Sequence, residues 1–91
     1  GSLEGAMLIP QTGLDRDTIR EKLSLLIAHL MEHNFEKLCH AMYRLDVSEA
    51  RFDQVMNSNP IEKIPGAIAD LVIEREMQKV RTRMLYREGR L

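Results

Sequence analysis

The sequence predicts an all-α protein, a small helical bundle of about four helices ending in a long C-terminal helix. Three observations predict it. Apolar residues recur at steps of three and four, the helical period, and no β-hairpin signal is present. Capping residues stand just ahead of the periodic runs, at Asp15, Asn34, Asp46 and Asn59. Aromatic residues make up 4% of the 91 residues, with no Trp, so the core must come from Leu, Ile, Val and Met, which pack well along helix stripes.

The first helix is expected over residues 16–32. Asp15 and Asp17 supply cap oxygens and negative charge at the positive end of the helix. Ile19, Leu23, Leu26, Ile27 and Leu30 then form one apolar face. Asn34 reads as a break and a new cap, and Phe35, Leu38, Met42 and Leu45 carry a second helix over 35–44. No Gly or Pro separates the two, so a single kinked helix fits the pattern as well. Asp46-Val47-Ser48-Glu49 matches a capping box, with Asp46 as the cap and Glu49 reaching back. The third helix follows over 48–56 and buries Val47, Phe52, Val55 and Met56. Asn57-Ser58-Asn59-Pro60 is a turn, Ile61–Ile64 a single short turn, and Pro65 opens a last helix over 66–87 that Gly89 ends. Ile68, Leu71 and Val72 complete the expected core.

A chain this short makes one domain with a thin core. Residues 1–6 read as a cloning remnant, 7–14 as an N-terminal arm with Met7 as the native start, and 15–91 as a single helical domain. The formal net charge of −1 argues against bulk polyanion binding. A lone cysteine, Cys39, forms no internal disulfide and suits a reducing compartment. No apolar run approaches a membrane span and no signal peptide is recognisable, so the expected location is the cytoplasm.

The last helix is the most informative segment. Its first half is apolar over a wide arc through Ile68, Leu71, Val72 and Ile73; its second half narrows to Ile73, Met77, Val80 and Met84. Three short helices would struggle to cover both stripes, so the second is read as a self-association surface for a homodimer. Arg75, Lys79, Arg83, Arg87 and Arg90 share the other side. This basic stripe is read first as a solvated face, and alternatively as a contact for the acidic residues of a partner chain or for nucleic acid, although only Tyr86 interleaves it.

Chemistry-bearing patterns are sparse. His29-Leu30-Met31-Glu32-His33 spells H-x-x-E-H, the inverted zinc-peptidase pattern, in which two histidines four apart share a zinc and a glutamate acts as base. A catalytic zinc also needs a third protein ligand, and its peptidase a far larger substrate-binding domain. A simpler metal site could draw on Glu32, Glu36 or Cys39. The plain alternative is a solvated helix flank, and His29 and His33 stand as weak metal candidates only. No catalytic triad or Gly-rich phosphate loop is evident, so neither enzymatic activity nor a cofactor is expected.

His33-Asn34-Phe35-Glu36-Lys37-Leu38, Tyr43-Arg44-Leu45-Asp46-Val47-Ser48-Glu49 and Ile68-Ala69-Asp70-Leu71-Val72-Ile73-Glu74-Arg75 together resemble a family of short uncharacterised bacterial all-helical proteins, over about residues 18–84. The resemblance implies a compact helical domain in a bacterial cytoplasm. It implies no activity, because none is assigned to that family. The leading expectation is a helical protein-interaction module that self-associates, and the alternative is a nucleic-acid-associated or regulatory protein using the basic face.

Overall fold

A computed structural model of the chain describes residues 15–89. The expected arm at 7–14, the proposed remnant at 1–6 and Arg90 lie outside the described residues. Four α-helices follow in order: α1 (Arg16–His33), α2 (Phe35–Arg44), α3 (Glu49–Ser58) and α4 (Ile64–Arg87), with a 3₁₀ turn at Ile61–Lys63 before the last. Among the described residues there is no strand.

Local chemistry explains each boundary. The Thr18 N–H donates to Asp15 Oδ1 at 2.8 Å, which starts α1 and holds the Asp15 carboxyl below its ordinary value. A lowered carboxyl favours the folded state above the ordinary carboxylate range, and that contribution is lost as acid protonates the cap. Asn34 separates α1 from α2: its backbone leaves the helical region (φ −158°, ψ 74°) and its side chain accepts from the Lys37 N–H at 3.1 Å. The two helices are therefore not one kinked helix.

The α2–α3 corner departs from the expected capping box. Ser48, rather than Asp46, caps α3, its hydroxyl accepting from the Arg51 N–H at 3.3 Å. Asp46 instead closes α2. It adopts a left-handed conformation (φ 61°), while the Asp46 N–H donates to the Tyr43 carbonyl and the Val47 N–H to the Met42 carbonyl. This is the Schellman pattern, with aspartate in the place usually taken by glycine. Val47 and Met42 supply the apolar contact that accompanies it. Helix α4 begins at Ile64, two residues earlier than expected, because a proline in the first helical turn removes a backbone donor that has no intrahelical partner there.

Helix α4 is the spine. Its first half contributes Ile64, Ile68, Ala69 and Val72 to a core completed by Ile27, Leu38, Met42 and Phe52. Ile27, Leu38, Ile68 and Val72 are the largest fully buried side chains. Helix α1 runs against α4 in the opposite sense: Arg20 Nε donates to Asp70 Oδ1 at 2.8 Å, while Ser24 and Ala28 line a cleft with Asn59, Glu62 and Lys63. The bond to Asp70 raises the Arg20 pKa further. Gly66 makes this approach possible, since a Cβ there would lie 2.7 Å from Arg20 Nη2. On the other flank, Arg51 Nη2 donates to Glu74 Oε2 at 2.9 Å, tying α3 to α4.

Two expected core residues are not in the core. Leu26 is 54% exposed and Phe35 41% exposed. The buried stripe of α1 centres on Ile27, and successive residues are about 100° apart, so Leu26 is turned away from α4. Phe35, at the first position of α2, meets Phe52 only at a ring-centroid distance of 6.5 Å. Leu23, Leu30, Leu45 and Val55 are partly buried against the core, whereas Ile64 and Ala69 join it unannounced.

The burial pattern sets expected stabilities. Ile68→Ala should cost about 2–5 kcal/mol, and Leu26→Ala less than about 1 kcal/mol, both read from urea unfolding. Equal costs would misplace the core. At the corner, Asp46→Ala should cost on the order of 1 kcal/mol, because alanine tolerates the left-handed backbone less well than aspartate and lacks the carboxylate bonded to Arg75. Asp46→Gly should recover most of that loss despite removing the same carboxylate.

Candidate self-association surface

The sequence placed four apolar residues on the outer stripe of the last helix. The structure divides them. Ile73 is 8% exposed, so it is covered within the single chain and does not belong to a free surface. The reason lies in α1. The Arg20–Asp70 bond lays the first turns of α1 beside this part of α4, where Ile19 is buried too.

Among the described residues the cover ends beyond Ile73. Met77 is 48% exposed and Met84 56% exposed, with Val80 partly exposed between them. At about 100° per residue these three fall within an arc of about 60°. They form one apolar ribbon of two turns on the outer part of a helix about 36 Å long. Leu85 is partly buried and Tyr86 exposed on other sides of the same helix.

The basic residues are also divided. Arg75 Nη2 donates to Asp46 Oδ2 at 2.6 Å and its Nε to the Asp46 carbonyl at 3.0 Å. Lys79 Nζ donates to the Leu45 carbonyl at 2.7 Å and to Glu76 Oε1 at 3.3 Å. These two cations therefore brace the α2–α3 corner instead of facing solvent for a polyanion. Arg83 and Arg87 remain exposed along that side. Arg90 lies outside the described residues, and no place for it on the face can be given. Of the acidic residues that could have met a partner's basic end, Asp70 is engaged with Arg20 and Glu74 with Arg51.

The weak metal candidates do come together. His29 and His33 stack on α1 with ring centroids 4.5 Å apart and planes inclined by 40°. Glu32 Oε2 lies 3.9 Å from His33 Nε2. Cys39 is half-buried against the core on α2. Among the described residues, no group of three or more His, Cys, Asp or Glu side chains is placed to hold a metal ion together, so the three-ligand set of a catalytic zinc is not assembled there.

Sequence periodicity alone missed a second exposed apolar area. Leu25 and Leu26 stand out from α1, and Ile61 stands out from the 3₁₀ turn. The signal was available: Leu25 already lay off the stripe through Ile19, Leu23 and Ile27, and Ile61 sits in a three-residue turn too short to form a buried face.

Among the described residues no helix is long and apolar enough to cross a membrane. Comparison with protein-family models, curated proteins and solved structures gave no match.

Proposed function

We propose that this chain is a non-enzymatic helical interaction module that self-associates through the outer half of α4, with the ribbon Met77, Val80 and Met84 at the centre of the contact. The observation that carries the reading is the continuation of an apolar stripe past the end of its intrachain cover. Ile73 is buried by the chain's own packing, whereas Met77 and Met84, one and three turns further on, are half open to solvent. Adjacent exposed apolar side chains on a small domain are a liability unless something meets them.

A second copy is the simplest occupant, because a two-fold axis lets a ribbon bury itself against its own duplicate. Methionine at two of the three positions suits such a contact, since its unbranched side chain adapts to irregular surfaces. The attraction is apolar rather than ionic: Asp70 and Glu74 are held by Arg20 and Arg51 of the same chain. Dimer strength should therefore depend little on salt. The non-enzymatic part of the reading is supported by the scatter of the reactive groups, with Cys39 half-buried on α2 and the histidine pair exposed on α1. The bacterial cytoplasm implied by the sequence resemblance is part of the same proposal.

Sedimentation velocity tests it. The parent chain should sediment as a dimer at micromolar to tens-of-micromolar concentration, little changed by added sodium chloride. The double variant Met77→Glu, Met84→Glu should sediment as a monomer with unaltered helical circular dichroism, because both positions are exposed in the single chain. A monomeric parent overturns the proposal. A double variant that stays dimeric moves the interface off α4.

A further inference from the structure

The histidine pair on α1 lies well away from the methionine ribbon. His29 is nine residues beyond Arg20 along α1, about 14 Å further towards the beginning of α4. That is the opposite direction from Met77 and Met84, since α1 and α4 run in opposite senses. Whatever occupies one surface leaves the other free.

Four residues of spacing bring two side chains onto the same side of a helix, one turn apart. Here the spacing produces a close contact, a centroid separation of 4.5 Å between the imidazoles of His29 and His33. Both side chains are exposed. The backbone beneath them is regular helix up to His33, and the Asn34 N–H still donates to the Leu30 carbonyl at 2.8 Å. The separation of the two rings is therefore set by a fixed scaffold rather than by a loop. Two neutral imidazoles so placed need only side-chain rotation to direct one ring nitrogen each at a common ion.

We propose that His29 and His33 form a two-imidazole site for a single borderline divalent transition-metal ion of the zinc, nickel or copper class. The donor set selects the class: imidazole nitrogen suits these ions, while magnesium and calcium require oxygen ligands. Glu32, its carboxylate 3.9 Å from His33 Nε2, adds negative charge beside the site and a partner for a histidine N–H. With no set of three such side chains placed to hold an ion together among the described residues, the ion keeps water in its remaining positions. Such a site exchanges its ion readily. It clips the last turn of α1 rather than supporting hydrolysis, which distinguishes it from the three-ligand zinc of a peptidase. Because only the folded helix presents both ligands at this spacing, the ion also raises thermal stability by mass action.

Isothermal titration calorimetry with zinc chloride and with nickel chloride, on chain free of any polyhistidine tag, tests the site. The parent should bind one ion per chain, and binding should weaken on acidification because a protonated imidazole has no lone pair to give. His29→Asn and His33→Asn should each weaken binding by about tenfold or more, since half of the imidazole set is lost. His40→Asn, which removes the exposed histidine of α2, should leave binding unchanged. Zinc should raise the thermal midpoint of the parent and of His40→Asn but not of the other two variants, and magnesium should not compete. All three histidines are exposed, so the substitutions should leave the fold intact. The proposal is overturned if the parent binds no more tightly than His29→Asn or His33→Asn, or if His40→Asn is weakened equally.

Discussion

Burial of the first half of α4 on three sides is the constraint on which the rest of the molecule depends. Ile64, Ile68, Ala69 and Val72 form the middle of the core; α1 and α3 pack against α4, and α2, lying on α1, reaches the same core through Leu38 and Met42. A domain of this size has little apolar surface to spare. Its three shorter helices, of 18, 10 and 10 residues, would be marginal on their own and rely on this shared face. The polar contacts follow the same plan. Arg20–Asp70, Arg51–Glu74 and Arg75–Asp46 each join a different part of the chain to α4. All are partly exposed, so they orient the packing more than they stabilise it.

This arrangement also explains why α4 has two characters. A helix enclosed on three sides must be apolar nearly all round, and residues 64–73 are. Among the described residues the outer half has only the α2–α3 corner beside it, held by Arg75 and Lys79. Its polar flank is used to brace that corner, and its apolar flank is left to solvent. The division between structural and available surface thus falls within one continuous helix, at the level where α1 begins.

The helix layout was legible because capping and periodicity act locally. Asn34 and Asp15 perform in three dimensions the roles their chemistry suggests, and α2 spans the residues its pattern marks. What escaped the sequence depends on contacts between distant segments. Leu26 has the right spacing for the core but the wrong side of the α1–α4 contact, whose direction no local pattern records. Ile73 satisfies either stripe of α4 by periodicity, and only the register of α1, fixed fifty residues away at Arg20–Asp70, decides that it is buried. Asp46 was misjudged because its carboxylate is drawn to Arg75 on another helix rather than to the nearby backbone. The histidine pair is the opposite case, since a spacing of four within one helix is enough to place both rings.

The close approach at Gly66 carries a consequence for how this sequence can vary. The guanidinium of Arg20 occupies the space where any side chain at position 66 would begin. It is the far end of a flexible side chain, so an alanine there need not displace backbone. It would instead push the guanidinium off Asp70 and forfeit that bond. Positions 20, 66 and 70 are therefore one unit of inheritance: a bulkier residue at 66 releases Asp70 from its partner and removes the reason to keep arginine at 20. The three positions are thus coupled through one contact, which links the start of α1 to the start of α4.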